Sequence, residues 1–196
     1  MTLDLVAAGV GGQGVVTLGR ILATAALREG YDARLLGQSG LSQVGAPVVV
    51  HVRIGTPAGP SPKIPRGRAH VVIGLERLEA LCLAPYLRPR GTALLSEEEV
   101  RPYEARFRRD RYPDRAAVEA AFGDVRILWV PALELALRHG SPAYVAPVML
   151  GALAAVSRVV DRDQLVLALR DERPAEADAE VEAFFAGYEF VAGTEE

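Results

Sequence analysis

Hydrophobic and polar positions divide the chain into short apolar runs and longer stretches of helical period. Leu3 to Ala8 is an apolar run that ends in glycines, as a buried strand does. From about Gly14 to Arg28 the apolar positions Val15, Leu18, Leu22, Ala25 and Ala26 form a helical stripe, with Gly30 placed to close it. Asp32–Gly37 and Pro47–Ile54 read as further strands. Val48-Val49-Val50 suggests a strand buried on both faces. Thr56–Arg68, with four prolines and two glycines, reads as a loop. Strands are expected at Val71–Leu75, Gly91–Leu95 and Val125–Val130. Helices are expected at Glu76–Leu87, Pro131–His139, Ala143–Val160, Asp161–Leu169 and Glu176–Gly187. Arg101–Arg115 is polar and rich in arginine.

Strands that alternate with helices imply a mostly parallel sheet covered on both faces. The expected fold is α/β: a Rossmann-like three-layer α/β/α sandwich with a mostly parallel sheet and a helical C-terminal third. No internal repeat is visible, and residues 1–196 read as a single domain, the size one core supports.

Two glycine-rich segments follow the first two strands and so should meet at the C-terminal edge of the sheet, where α/β proteins bind ligands. The first is Gly9-Val10-Gly11-Gly12-Gln13-Gly14. Its glycines permit a tight turn and close backbone approach, and the helix start behind them offers amide N–H groups to an anion. A dinucleotide would also need an acidic side chain after the second strand, to hold a ribose. That strand ends Leu36-Gly37-Gln38, with no acid. A plain packing turn, and a contact to something larger than a dinucleotide, are the other readings. The second segment is Gly37 to Gly45, containing Ser39, Gly40, Leu41, Ser42 and Gln43. Neither Ser39 nor Ser42 has a base nearby in sequence, so neither reads as a nucleophile.

Composition narrows the chemistry. Half of the residues are hydrophobic and 24% are charged, which is globular and excludes disorder over most of the length. A net charge of −3 gives no reason to expect nucleic acid. The one cysteine, Cys82, cannot make an internal disulfide or hold an iron–sulfur cluster, and the chain reads as cytoplasmic. Val145–Val156 is apolar but too short to span a bilayer, so no membrane association is expected. His51, His70 and His139 are scattered, and no metal site or catalytic residue is expected. Glu97-Glu98-Glu99 reads as a solvated acidic face. The arginines from Arg101 to Arg115, interleaved with Glu104, Asp110 and Asp114, read as an exposed charge network.

The Gly-Gly-Gln-Gly core at residues 11–14 is more specific than a generic dinucleotide loop. It is followed by Ser39-Gly40-Leu41-Ser42-Gln43, Gly45-Ala46-Pro47-Val48-Val49, His51-Val52-Arg53-Ile54, Ser61-Pro62-Lys63-Ile64-Pro65 and Val148-Met149-Leu150-Gly151-Ala152. Together these resemble the gamma subunit or domain of the 2-oxoacid:ferredoxin oxidoreductases, nearest the small beta subunit of the indolepyruvate branch. The resemblance covers nearly the whole chain and is strongest over residues 5–75.

It implies an assembly that oxidatively decarboxylates a 2-oxoacid to an acyl-CoA and passes electrons to ferredoxin. Thiamine diphosphate, Mg²⁺ and Fe–S clusters would lie on a large partner subunit, with coenzyme A as co-substrate and ferredoxin met only indirectly. Gly11, Gly12, Gln13, Gly14, Ser39, Gly40 and Gln43 would then form a wall of the active-site region. The isolated chain would be inactive, and a homodimer could cover its docking patch, for which Val145–Val156 is one candidate and a core helix the other reading. The alternative function is a stand-alone dinucleotide-dependent oxidoreductase. Two positions depart from the indolepyruvate branch. Val44 stands where an arginine is usual, and Ala146-Pro147 where an asparagine is common.

Overall fold

The structure is a computed structural model that describes residues 2–39, 45–55, 61–99 and 112–194. Its centre is a six-stranded sheet. The strands are β1 (Leu3–Val10), β2 (Ala33–Ser39), β3 (Pro47–Ile54), β4 (Ala69–Gly74), β5 (Leu87–Ser96) and β6 (Arg126–Val130). They lie in the order β2-β3-β1-β4-β5-β6. The pairs β1–β4, β4–β5 and β5–β6 are parallel, whereas β3 runs against both β1 and β2. The sheet is therefore mostly parallel, as the pattern implies.

β3 is the antiparallel member of the mostly parallel sheet. Seven residues separate β2 from β3, too few for the crossover of a dozen or more that a parallel pair needs. The chain instead doubles back and inserts β3 between β2 and β1. The valine run is also not buried throughout: Val48 and Val50 are covered, and Val49 is half-exposed.

Seven α-helices flank the sheet among the described residues: α1 (Val15–Arg28), α2 (Arg77–Leu81), α3 (Arg115–Phe122), α4 (Ala132–Arg138), α5 (Val145–Val156), α6 (Arg162–Glu172) and α7 (Ala177–Gly193). Alternating residues of β1 feed two cores. Leu3, Leu5 and Ala7 join Leu18, Ile21 and Leu22 of α1 and the apolar residues of α5, α6 and α7. Val6 and Ala8 face the opposite way, toward Ile64, Ala80 of α2, and Val118 and Phe122 of α3. All eight residues of β1 are buried, as the central strand of a covered sheet requires.

Some boundaries move for identifiable reasons. The helix expected at Glu76–Leu87 stops at Leu81, and a 3-10 turn, Ala84–Tyr86, follows. Pro85 lies in that turn, and a proline disfavours helix at the residue before it. The helix expected from Ala143 begins as a 3-10 turn at Pro142–Tyr144 and ends at Val156. The strand expected at Gly91–Leu95 runs from Leu87 to Ser96, and the last helix continues past Gly187 to Gly193. α3 begins at the end of the polar run, in a stretch where no element was expected. Asp114 caps it, accepting the Ala117 N–H at 2.7 Å. Gly30 does close α1, with the Gly30 and Tyr31 N–H groups returning to Leu27 and Ala26 carbonyls at 3.0 Å each. Val145 through Leu153 are all buried, so the apolar run is a core helix and not an exposed patch.

Candidate functional site: the glycine edge of the sheet

β1 ends at Val10, where the chain must turn into α1 within four residues. The turn is knitted to the strand before it and to the strand beside it. The Gly11 N–H donates to the Ala46 carbonyl at 2.8 Å, and the Gly45 N–H to the Gly11 carbonyl at 3.3 Å. Gln13 folds back over the turn. Its Oε1 accepts the Val10 N–H at 2.9 Å, and its Nε2 donates to the Leu75 carbonyl, also at 2.9 Å. Gln13 thus ties the glycine turn to the C-terminal end of β4.

Gly12 and Gly14 have φ of 105° and 80°, the left-handed region that side chains disfavour. Gly14 also lacks room, since a Cβ there would lie 3.0 Å from the Ala146 Cβ. The Gly14 carbonyl accepts the Leu18 N–H at 2.8 Å and opens α1. The first amides of the helix have no carbonyl within the helix to meet, and no acidic side chain occupies the first turn. The arrangement can therefore receive an anionic group or an electronegative backbone atom.

Ser39 is the last residue of β2 and pairs with Val48, which also pairs with Gly9 across β3. β2 and β1 run the same way, so the second glycine-rich segment departs from the same edge as the first. The backbone registers thus bring Ser39 level with the turn that holds Gly11, Gly12, Gln13 and Gly14. Gly40 and Gln43 lie outside the described residues, as does Val44. Ala146 is buried against Gly14.

Beneath this edge lies a group the sequence reading did not single out. Glu76 lies two residues beyond the end of β4 and is fully buried. Its carboxylate caps α2, accepting the Glu79 N–H at 2.9 Å, and takes the Tyr112 hydroxyl proton as a second hydrogen bond. Burial raises the Glu76 carboxyl, and these hydrogen bonds oppose the shift. Glu79 is raised to about 7, first by burial and then by the charge of Glu76. Burial and Glu76 also raise Glu98, against a hydrogen bond from Gln13. Of the three glutamates read as a solvated face, Glu97 and Glu99 are exposed, but Glu98 is half-buried with one carboxylate oxygen enclosed. The available signal was position: Glu76 and Glu98 each lie two residues beyond the end of a parallel strand, where the turns leave the sheet.

The remaining candidates fall elsewhere. His51 is fully buried in mid-sheet, and its Nδ1 accepts the Ile64 N–H at 3.3 Å. His70 accepts the Asp4 N–H at 2.8 Å, and His139 lies 3.4 Å from Glu182. Arg115 pairs on the surface with Glu97 and Glu119 and lies over the Trp129 ring; the rest of the expected charge network, Arg101 through Arg111, lies outside the described residues. Among the described residues, no group of three or more His, Cys, Asp or Glu is placed to hold a metal ion. Nor is any described helix long and apolar enough to cross a membrane.

Residues 4–190 match the family model of the pyruvate ferredoxin/flavodoxin oxidoreductases, and the chain belongs to that family. It groups with the small subunits. It is 36% identical over 155 residues to the indolepyruvate oxidoreductase subunit IorB of Archaeoglobus fulgidus, covering 78% of this chain and 76% of the relative. The IorB subunit of Methanothermobacter thermautotrophicus is 29% identical over 194 residues, with 96% and 97% covered. The fold is shared with the gamma subunit of a keto/oxoacid ferredoxin oxidoreductase from Geobacter sulfurreducens (TM-score 0.73, 20% identity, 97% of this chain and 99% of that one). It is also shared with a 2-oxoglutarate:ferredoxin oxidoreductase from Magnetococcus marinus (TM-score 0.76, 18% identity). There the match spans 98% of this chain but 31% of the larger one.

Proposed function

We propose that this chain is the small subunit of a 2-oxoacid:ferredoxin oxidoreductase of the indolepyruvate or arylpyruvate type. The assembly would oxidatively decarboxylate a 2-oxoacid, form an acyl-CoA and deliver electrons to ferredoxin. The chain itself is not catalytic. Thiamine diphosphate, Mg²⁺ and the Fe–S clusters belong to a large partner subunit, and they supply the carbanion chemistry and the electron path.

One observation carries this reading: β1 and β2, which lead into the two glycine-rich segments, end at one sheet edge, and the first segment is braced by Gln13 against β4 and by Gly11 against the residues before β3. Such a rigid, backbone-lined surface suits closing one wall of a reaction chamber. The start of α1 at Gly14 can receive a negatively charged group of coenzyme A, a molecule named with the Magnetococcus marinus enzyme. Gly11, Gly12, Gln13 and Gly14 form the fixed part of that wall, and Ser39, Gly40 and Gln43 belong to its second part. The dinucleotide alternative finds no support, because β2 ends Gln38-Ser39 with no carboxylate to hold a ribose.

The test is co-purification from native cells, followed by a 2-oxoacid oxidation assay with a viologen acceptor. Arylpyruvates, pyruvate, 2-oxoglutarate and branched-chain 2-oxoacids are compared. The expected result is co-elution with a thiamine-binding chain, with arylpyruvates oxidised fastest and no turnover by the isolated subunit. Recovery only as a lone protein, or turnover by that lone protein, overturns the proposal.

A further inference from the structure

On the sheet face away from α1 lies a second hollow, unrelated to the glycine turns. It is open to solvent, has a volume of about 450 Å³ and is lined by Ser61, Lys63, Ile64, Pro65, Arg66 and Tyr86. β3 ends beside the start of β1, with Ile54 opposite Leu3, so the wall-forming residues 61–66 follow from the edge opposite the glycine turns.

Three hydrogen bonds fix this wall. Arg53, held to both Asp4 carboxylate oxygens at 2.9 and 3.0 Å, donates its remaining terminal nitrogen to the Ser61 carbonyl at 2.9 Å. The Lys63 N–H donates to the Ser61 hydroxyl at 3.2 Å, and the Ile64 N–H to His51 Nδ1 at 3.3 Å. The wall is therefore in place before anything binds, which reduces the ordering cost of binding.

Its chemistry is cationic with an aromatic side. Lys63 and Arg66 are exposed and form no ion pair with any described residue. Arg68, Arg88 and Arg90 are likewise exposed and unpaired among the described residues, so one sign of charge dominates this region of an overall acidic chain.

His51 does not line the hollow but lies behind it, in contact with two of its lining residues. It bonds to Ile64, and its ring meets Tyr86 edge-on at 5.5 Å. Because Nδ1 accepts a hydrogen bond, the proton of the neutral ring is on Nε2. That Nε2–H is fully buried and has no acceptor among the described residues. Burial and the nearby Lys63 charge both favour the neutral ring. A buried donor without an acceptor is rare enough to require a reason.

We propose that this hollow binds a nucleoside diphosphate, with the phosphates on Lys63 and Arg66 and the base against Tyr86. The volume is within the range of small-ligand pockets, roughly 300–1,000 Å³. Lysine and arginine are the usual phosphate partners, and an aromatic ring accepts any base by stacking. The site needs only this chain and is independent of the proposed oxidoreductase role.

The experiment uses the isolated full chain with ADP, inorganic pyrophosphate and adenosine as probes. Lys63 is the single lysine of the chain, so amine labelling followed by peptide mass analysis reads this site directly. ADP is expected to slow labelling of Lys63, with pyrophosphate and adenosine each weaker. In calorimetry, Lys63→Ala and Arg66→Ala should each weaken ADP by about tenfold, as expected for one charge-assisted contact. Both residues are exposed, so neither variant threatens the fold. Absence of ADP binding at millimolar concentration, or equal binding by both variants, overturns the proposal. Pyrophosphate binding as tight as ADP overturns the role of Tyr86. ADP binding that survives Lys63→Ala but is lost in Gly14→Ala moves the nucleotide to the glycine turn and also overturns it.

Discussion

Two pairs of glycines in this molecule serve opposite physical ends. Gly151 of α5 and Gly187 of α7 are in ordinary helical conformation but have no room. A Cβ on Gly151 would fall 1.8 Å from the Phe184 carbonyl oxygen, and one on Gly187 would fall 2.0 Å from that of Val148. At the sheet edge, Gly12 has open space around it and is required by its φ of 105°, while Gly14 is constrained by both φ and Ala146. The first pair lets two helix backbones touch. The second pair shapes the turn that opens α1, whose first amides have no carbonyl within the helix. The comparison separates a glycine that builds the core from one that builds a surface.

The largest effect should come from the helix pair. Gly187→Ala pushes a methyl group into backbone that cannot yield cheaply, and should cost roughly 3 kcal/mol or more. Thermal unfolding should report it as a drop in Tm of about 6 to 12 °C. A variant that melts like the parent would mean that α5 and α7 can separate freely, and the contrast would fail.

The regions also differ in their response to pH. α5 carries no ionisable side chain, whereas the glycine edge rests above Glu76, Glu79 and Glu98. Folded Glu79 titrates at about 7 against an ordinary 4.5. Across that interval the folded state holds more protons than the unfolded chain, so stability falls as pH rises. Below the ordinary value both states are protonated and the penalty vanishes. Glu79→Gln should therefore flatten the decline in denaturant-unfolding free energy between these pH values and raise stability above them. An unchanged slope would remove Glu79 as its source.

Gly14→Ala should be milder than Gly187→Ala, costing about 1–2 kcal/mol for the left-handed backbone, with added crowding from Ala146. In the assembled enzyme its effect on turnover should exceed its effect on Tm, and the reverse would demote the turn to packing. Gln13→Ala removes the brackets to Val10 and Leu75. It should cost roughly 1 kcal/mol in urea unfolding and speed amide exchange at Val10 while sparing β6. Uniform exchange across the sheet would show that Gln13 does not hold the turn locally.

Much of the site was legible because its signal is local. Gly11, Gly12, Gln13 and Gly14 follow an apolar run and precede a helical stripe, and strand, turn and helix appear where that order requires them. Gln13 was visible as part of a motif, but its hydrogen bond to Leu75, 62 residues away, was not. Glu76 and Glu79 looked like ordinary polar residues at a helix start. Burial under Tyr112 and the neighbouring strands makes them a coupled pair, and burial is not a property of a short window. α3 escaped notice because it follows directly on the polar, arginine-rich run and its cap, Asp114, sits within that run of charges.

The sequence by itself determined the periodicities, the two glycine segments, the apolar first strand and the absence of an acid after β2, since each depends on neighbouring residues and on which side chains the chain contains. Only the tertiary structure decided the direction of β3, the contact of Gly151 and Gly187 with facing carbonyls, the raised carboxyls under the glycine edge, and the hollow between residues 61–66 and Tyr86. All of these arise where segments distant in the chain exclude water from one another. Strand direction, steric room and the energy of a charge are set by what lies across that contact.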